Sequence, residues 1–335
     1  MRVRTRRDRI ARVLWALVLS CVATQGCATR QGALASLDEL GANGAMPLFW
    51  RVDASRGATL YVLGSVHLGP ADGWQFPPAI HRAFEHANAI AVEVDPTEMH
   101  QQAQQMLVAR YGMLPPGVSL EQLLSPETWA ILQQRAEQAG LPLDAVERMQ
   151  PWLVTNLLLV AASRQLGWSP RGGVDATFIG AAGDRSIVSL ESAEFQLSLL
   201  AGLPPEIQEL SLRDTLGRFD DVSDYLTHLV GAWRVGDEDA LEAFFFESYE
   251  EDPAFEPFFE ILIFRRNQSM AERLRVLLDA EQHDGESVFV VIGAGHVIGP
   301  QGVPAILAGW GYPVTRLSRD ELESPLSGDS HAGRR

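Results

Sequence analysis

Residues 60–67 read LYVLGSVH and residues 288–296 read VFVVIGAGH. Each is a short apolar run, rich in β-branched or aromatic side chains, that closes on Gly-x-x-His. Apolar runs of this length ending at glycine read as buried strands. Residues 89–94 (AIAVEV) and 186–190 (SIVSL) have the same character. Residues 47–52 and 59–63 flank the turn Asp53 to Gly57 and read as a β-hairpin, and residues 312–316 read as a last strand. Between the strands lie helical stretches: 77–86, most of 97–235, 237–248, a single helix over 257–278, and 303–309. Strands alternating with helices indicate an α/β fold. Its central sheet should be mixed and largely parallel, with a large helical insertion.

In open α/β sheets, ligands bind beyond the carboxyl ends of the strands. Each Gly-x-x-His would place an imidazole there, with Gly64 and Gly293 expected to permit a sharp turn. If the two strands are neighbours, His67 and His296 converge. Neutral imidazole is a good ligand for Mn, Co or Zn. The bland alternative is a pair of polar turn residues capping two strands. Glu93 interrupts the apolar run of residues 89–94. A buried carboxylate is unfavourable unless it is paired or bound to metal, so Glu93 reads as a metal ligand or a general base, or else as a solvent-facing strand end. Asp95 is a weaker candidate, because Pro96 puts it in a turn.

Asp175 reads either as a helix N-cap or as a second acid of the site. Glu191 ends a strand, as Glu93 does. Arg266 and Asn267 lie on a helix among apolar residues. Arg266 would bind a substrate carboxylate, stabilise an oxyanion, or form a structural ion pair. His81, His86, His100, His228 and His283 sit in polar or mixed surroundings. No His-Glu-x-x-His, P-loop, Gly-x-Ser-x-Gly or dinucleotide fingerprint is present.

The chain has 335 residues, is 46% hydrophobic and carries a formal charge of -16. So acidic a surface excludes a basic nucleic-acid interface. The start differs: six arginines from Arg2 to Arg12 precede an apolar run from Val13 to Ala23. That run is shorter than the ~20 residues of a membrane span and has the form of a secretory signal. Residues 1–26 are therefore expected to be a leader. Cys27 after Gly26 resembles a lipobox and is a candidate lipid anchor. The protein is then exported, either periplasmic or a membrane-anchored lipoprotein. Residues 27–45 read as a linker, 46–320 as the α/β domain and 321–335 as a disordered tail. Cys21 and Cys27 are the only cysteines, so no internal disulfide is expected in the mature chain.

Several motifs occur together in a fixed order: residues 63–70 (LGSVHLGP), 91–95 (AVEVD), Pro151-Trp152, Gly173-Val174-Asp175, Leu190-Glu191 with Gln196, Arg266-Asn267-Gln268 and 291–300 (VIGAGHVIGP). The set resembles the TraB/PrgY/GumN family, with the GumN-like bacterial branch the best fit. The resemblance implies a fold shared with Tiki metalloproteases, erythromycin-esterase-like enzymes and ChaN-type haem-binding lipoproteins. It implies divalent-metal-dependent peptide cleavage at His67, Glu93 and His296, supported by Arg266. Two alternatives stand beside this: a metal-free esterase-like hydrolase, and a non-catalytic lipoprotein that binds haem or a peptide. The partner is a peptide or small molecule in every case.

Overall fold

The computed structural model describes residues 40–324. The expected leader, Cys27 and most of the expected linker and tail lie outside the described residues. Six strands form one sheet: β1 (Phe49–Val52), β2 (Thr59–Ser65), β3 (Ala89–Val92), β4 (Ser186–Ser189), β5 (Ser287–Gly293) and β6 (Val314–Arg316), in the order β4-β3-β5-β2-β1-β6. β4, β3, β5 and β2 are mutually parallel. β1 runs antiparallel to β2, as the expected hairpin, and to β6. The sheet is thus mixed and largely parallel.

The helices that matter below are α1 (Pro78–His86), α2 (Gln101–Gly112), α3 (Pro126–Gln138), α4 (Pro151–Gln165), α5 (Val174–Gly180), α6 (Ala193–Ala201), α7 (Pro205–Gly217), α8 (Val222–Val235), α9 (Glu238–Glu251), α10 (Arg265–Asp279) and α11 (Val303–Gly309). β2 and β5 are buried along their length except at the first residue. That is the pattern of central parallel strands covered on both faces, and it explains why they read as continuous apolar runs rather than alternating ones.

Most helices fall between β3 and β5, and they carry a core of their own. Leu120, Leu132, Trp152, Leu158, Leu212 and Leu216 belong to this second cluster. α4 bridges the two cores: Trp152, Leu153 and Leu158 face the helical cluster, while Leu159 and Val160 belong to the core around the sheet. A helix that is apolar on every side is one buried on every side. Pro151 at its first turn starts it without losing a needed hydrogen bond.

Three boundaries differ from expectation. Residues 257–278 are not one regular helix: a short helix (Glu256–Phe259) passes through a π-helical segment (Glu260–Phe264) before α10 begins. Residues 44 and 45 belong to the fold rather than to a linker, since Ala45 donates to Gln75 O and Arg234 donates to Gly44 O. The start of the expected tail is also folded. Ser318 and Glu321 cap each other reciprocally and open the helix Arg319–Glu323, whose Leu322 is buried. The capping box was present in the sequence, but a single apolar residue gave no periodicity to detect.

One contact fixes the sheet edge that carries the histidines. Trp233, fully buried on α8, donates Nε1–H to Gly64 O at 2.7 Å. Trp233→Phe leaves that carbonyl without this donor and should destabilise the fold by at least about 1–3 kcal/mol. Urea unfolding measures the loss; an unchanged midpoint would remove this bond from the account.

Candidate functional site

β2 and β5 deliver the chain to the same edge in register, with Ser65 opposite Gly293. The two Gly-x-x-His turns therefore leave the sheet side by side. β3 flanks β5 and ends at Val92, opposite Val291. Glu93 is the next residue, so it lies just past the strand rather than within it. β4 ends at Ser189, and Glu191 N donates to Glu93 O at 2.7 Å, which carries the pairing on to the second acid.

His67 Nε2 lies 3.9 Å from Glu93 Oε1, and His296 Nε2 lies 3.8 Å from Glu93 Oε2. One imidazole thus faces each carboxylate oxygen. Both Nε2 atoms are buried and neither has a hydrogen-bond partner among the described residues. The opposite ring nitrogens are firmly held. His67 Nδ1 is 2.8 Å from Asp175 Oδ2, and Asp175 also accepts from Ser65 Oγ at 3.1 Å. His296 Nδ1 is 2.6 Å from Asn267 Oδ1, while Asn267 Nδ2 donates to Gln301 O at 2.7 Å. That second bond fixes the amide, so Oδ1 accepts and Nδ1 of His296 carries the hydrogen. Neutral His296 then presents a bare lone pair on Nε2.

Arg266 locks the acids. Its Nη2 donates to Glu93 Oε2 at 2.6 Å and to Glu191 Oε2 at 2.7 Å, Nε donates to Glu191, and Nη1 donates to Leu262 O. Gly293 N and Gln196 Nε2 add donors to Glu93 at 2.7 and 3.2 Å. Burial alone would raise the Glu93 carboxyl; the flanking imidazoles, Arg266 and the Gly293 N–H outweigh it and hold the group down at about 2. Burial and the Arg266 charge push His296 down to about 3. Burial also works against a proton on His67, but the charge and hydrogen bond of Asp175, with Glu93 beyond, raise it to about 9.

The glycines serve space rather than a turn. Neither Gly64 nor Gly293 has a positive φ. A Cβ on Gly293 would sit 3.1 Å from Glu93 Oε1 and 3.4 Å from His67 Nε2. It would intrude between the groups of the site. A Cβ on Gly64 would meet Val297 Cγ2 at 2.9 Å.

Asp175 is the second residue of α5, whose N-cap is Gly173, so it is not a cap. Asp95 is buried but accepts from Thr97 and caps a short turn. His283 pairs with Glu286. Ser65 and Gln301 were not foreseen as partners; neither residue type, in its local sequence, signals a role.

Two imidazoles and a carboxylate suit Mn, Co or Zn, and both rings have the supported Nδ1 typical of metal-ligating histidines. The N···O separations are wider than the ~3.4 Å between ligands of a tetrahedral ion with bonds near 2.1 Å. Among the described residues no His, Cys, Asp and Glu cluster is drawn tightly enough to hold an ion as it stands.

The model of the TraB/PrgY/gumN family matches residues 48–316. The chain is also 23% identical, over 249 residues, to the protein described as "Uncharacterized protein YbaP" of Escherichia coli (strain K12), spanning 74% of this chain and 87% of that one. The protein of the same description from Shigella flexneri matches to the same extent. No solved structure matches.

His67 binds its proton more tightly folded (about 9) than at its ordinary value of 6.5. Its contribution to stability is therefore complete below about pH 6.5 and is lost as the pH rises through 9. Asp175→Asn should lower the His67 value and flatten that slope. Imidazole NMR titration of the metal-free protein, with unfolding at about pH 6 and pH 9.5 chosen to bracket that window, reads both effects. A His67 value that does not move in the variant would contradict this assignment.

Proposed function

We propose that this chain, which belongs to the TraB/PrgY/gumN family, is a divalent-metal-dependent hydrolase whose substrates are peptides. The observation that carries the reading is the His296 lone pair, which faces a carboxylate oxygen at 3.8 Å with no proton donor between them. Two like electron-rich groups repel in a buried site unless a cation lies between them. His67 faces the other oxygen at 3.9 Å but holds its proton up to about pH 9, so an ion bound there would displace that proton. Asp175, Glu93 and Glu191 also outnumber the one guanidinium that meets Glu93 and Glu191.

His67, His296 and Glu93 would hold the ion. Once bound, it would supply an acidified water and a polarised carbonyl. The remaining residues are positioning groups. Asp175 and Asn267 aim the two rings. Glu191 and Gln196 fix Arg266 and Glu93 in turn. Arg266 acts on Glu93: its Nε and Nη2 are engaged by carboxylates, which argues against the oxyanion role expected from sequence. His67 gives up a proton when it becomes a ligand, as such sites require. The leader-like residues 1–26 support an exported protein, periplasmic or anchored through Cys27.

One observation favours a second reading, metal-free hydrolysis. The His67–Asp175 contact at 2.8 Å is that of an orienting acid with an imidazole that holds its proton up to about pH 9, the pairing of a general acid. Turnover that survives EDTA would select it.

Purified protein should retain Mn, Co or Zn after dialysis, and His67→Ala and His296→Ala should lose it. Asn267→Leu should weaken the affinity by about 10–100-fold, as for other supporting partners of metal-bound histidine. Metal analysis beside peptide hydrolysis checks these outcomes. Wild-type protein that retains none of the three ions would overturn the proposal.

A further inference from the structure

A cavity of about 110 Å³ opens directly on His67, Glu93 and Asp175. Beyond that polar end its walls are apolar: Met99, Leu107, Val108, Ile179 and Leu197. Met99, Leu107 and Ile179 are only half-buried, so the fold itself leaves apolar surface uncovered next to the proposed chemistry. No Lys or Arg lines the cavity; Arg266 lies behind the site and faces a different, aromatic recess with Phe245 and Phe258.

The walls are held in place before anything binds. Gln104 on α2 donates to Pro96 O and Met99 O, both at 3.1 Å, tying the preceding turn to the helix. Arg110 and Tyr111 both reach Glu194 on α6, at 2.8 and 2.9 Å, which pins the opposite wall. The space is somewhat smaller than the ~150 Å³ apolar cavity that accepts benzene. That suits one branched or unbranched aliphatic side chain. A carboxylate carried among the apolar walls, away from His67 at the polar end, would be buried with no cationic partner, which is strongly unfavourable.

We infer that this cavity is a specificity subsite for a neutral aliphatic residue of leucine or methionine size, flanking the bond to be cleaved, and that it rejects acidic residues. The flanking bond rests on the hydrolase reading above; the side-chain preference stands on the cavity itself. Met99, Leu107 and Ile179 are the half-buried apolar side chains of its lining.

The test is binding, independent of turnover. Blocked tripeptides Ac-Gly-X-Gly-NH2, with X as Leu, Met, Gly or Asp, are titrated into the full-length protein in EDTA and again with Mn, using ligand-observed NMR. Leu and Met should bind at least about tenfold tighter than Gly, the low end of what hydrophobic pockets discriminate, and Asp no tighter than Gly. Leu107→Trp, made at a half-buried position, should abolish the preference. Leu107→Ala, which removes part of the wall, should cut the advantage of Leu and Met over Gly, which keeps the inference testable should the Trp variant not fold. Equal binding of all four peptides, or a preference untouched by both variants, overturns the inference. So does tight binding of an octanoyl amide with no peptide preference, which would make the occupant a lipid chain. Selective binding without metal uptake or cleavage would remove the hydrolase reading and leave this subsite standing. Cleavage with no side-chain preference would do the reverse.

Discussion

Arg266 lies among apolar residues with Glu191 and Glu93 gathered around its guanidinium, and all three are nearly excluded from water. Removing ions from water carries a penalty of several kcal/mol each, offset only by close geometry and further hydrogen bonds. Both are present: Leu262 O, the Gly293 N–H and Gln196 take up remaining donors and acceptors. This arrangement makes Glu93 a fixed anion. The positions of both imidazoles then follow, because each ring faces one of its oxygens and is backed by a partner of its own. Losing Arg266 would leave two buried carboxylates facing each other, a larger disturbance than the loss of an ordinary surface ion pair.

The fold was legible where the chain repeats itself. Two apolar strands, each closed by Gly-x-x-His, predicted a shared sheet edge, and the parallel pairing of β2 with β5 places the histidines there. Glu93 was legible as a charge in an apolar run. Other features depend on which elements become neighbours, and local sequence does not encode that. Asp175 read equally as a helix cap or as an acid of the site, because Gly173-Val174-Asp175 opens a helix while its partner, His67, follows a strand far away in the chain. Gly293 was noticed for the wrong reason. Its need is for empty space among side chains, whereas sequence suggests only backbone freedom. Arg266 read equally as a substrate anchor or a structural ion pair, and only the contact geometry separates the two.

The helical region is more than a spacer between β3 and β5. α2, α5 and α6 each contribute to the cavity beside His67. α4 fastens these helices to the sheet by contributing to both cores. Chemistry is thus set by strand ends, whereas the surface that meets a ligand is set by helices, α2 and α6 on the second core and α5 on the core around the sheet. That division lets helices vary in side-chain size without disturbing the strands, as is common where sites are grafted on a stable scaffold.

The π-helical segment Glu260–Phe264 has a consequence for how this helix tolerates change. One wide turn advances the helix out of phase with the regular spacing of about 100° per residue. Phe258 and Phe259 upstream, and Arg266 downstream, are therefore aimed by two different phases of one rod. Were the wide turn to tighten to regular spacing without losing a residue, one set would swing away from its partners by up to about that same angle. The extra residue taken up by the wide turn is thus what keeps the aromatic cluster and the guanidinium on their separate partners.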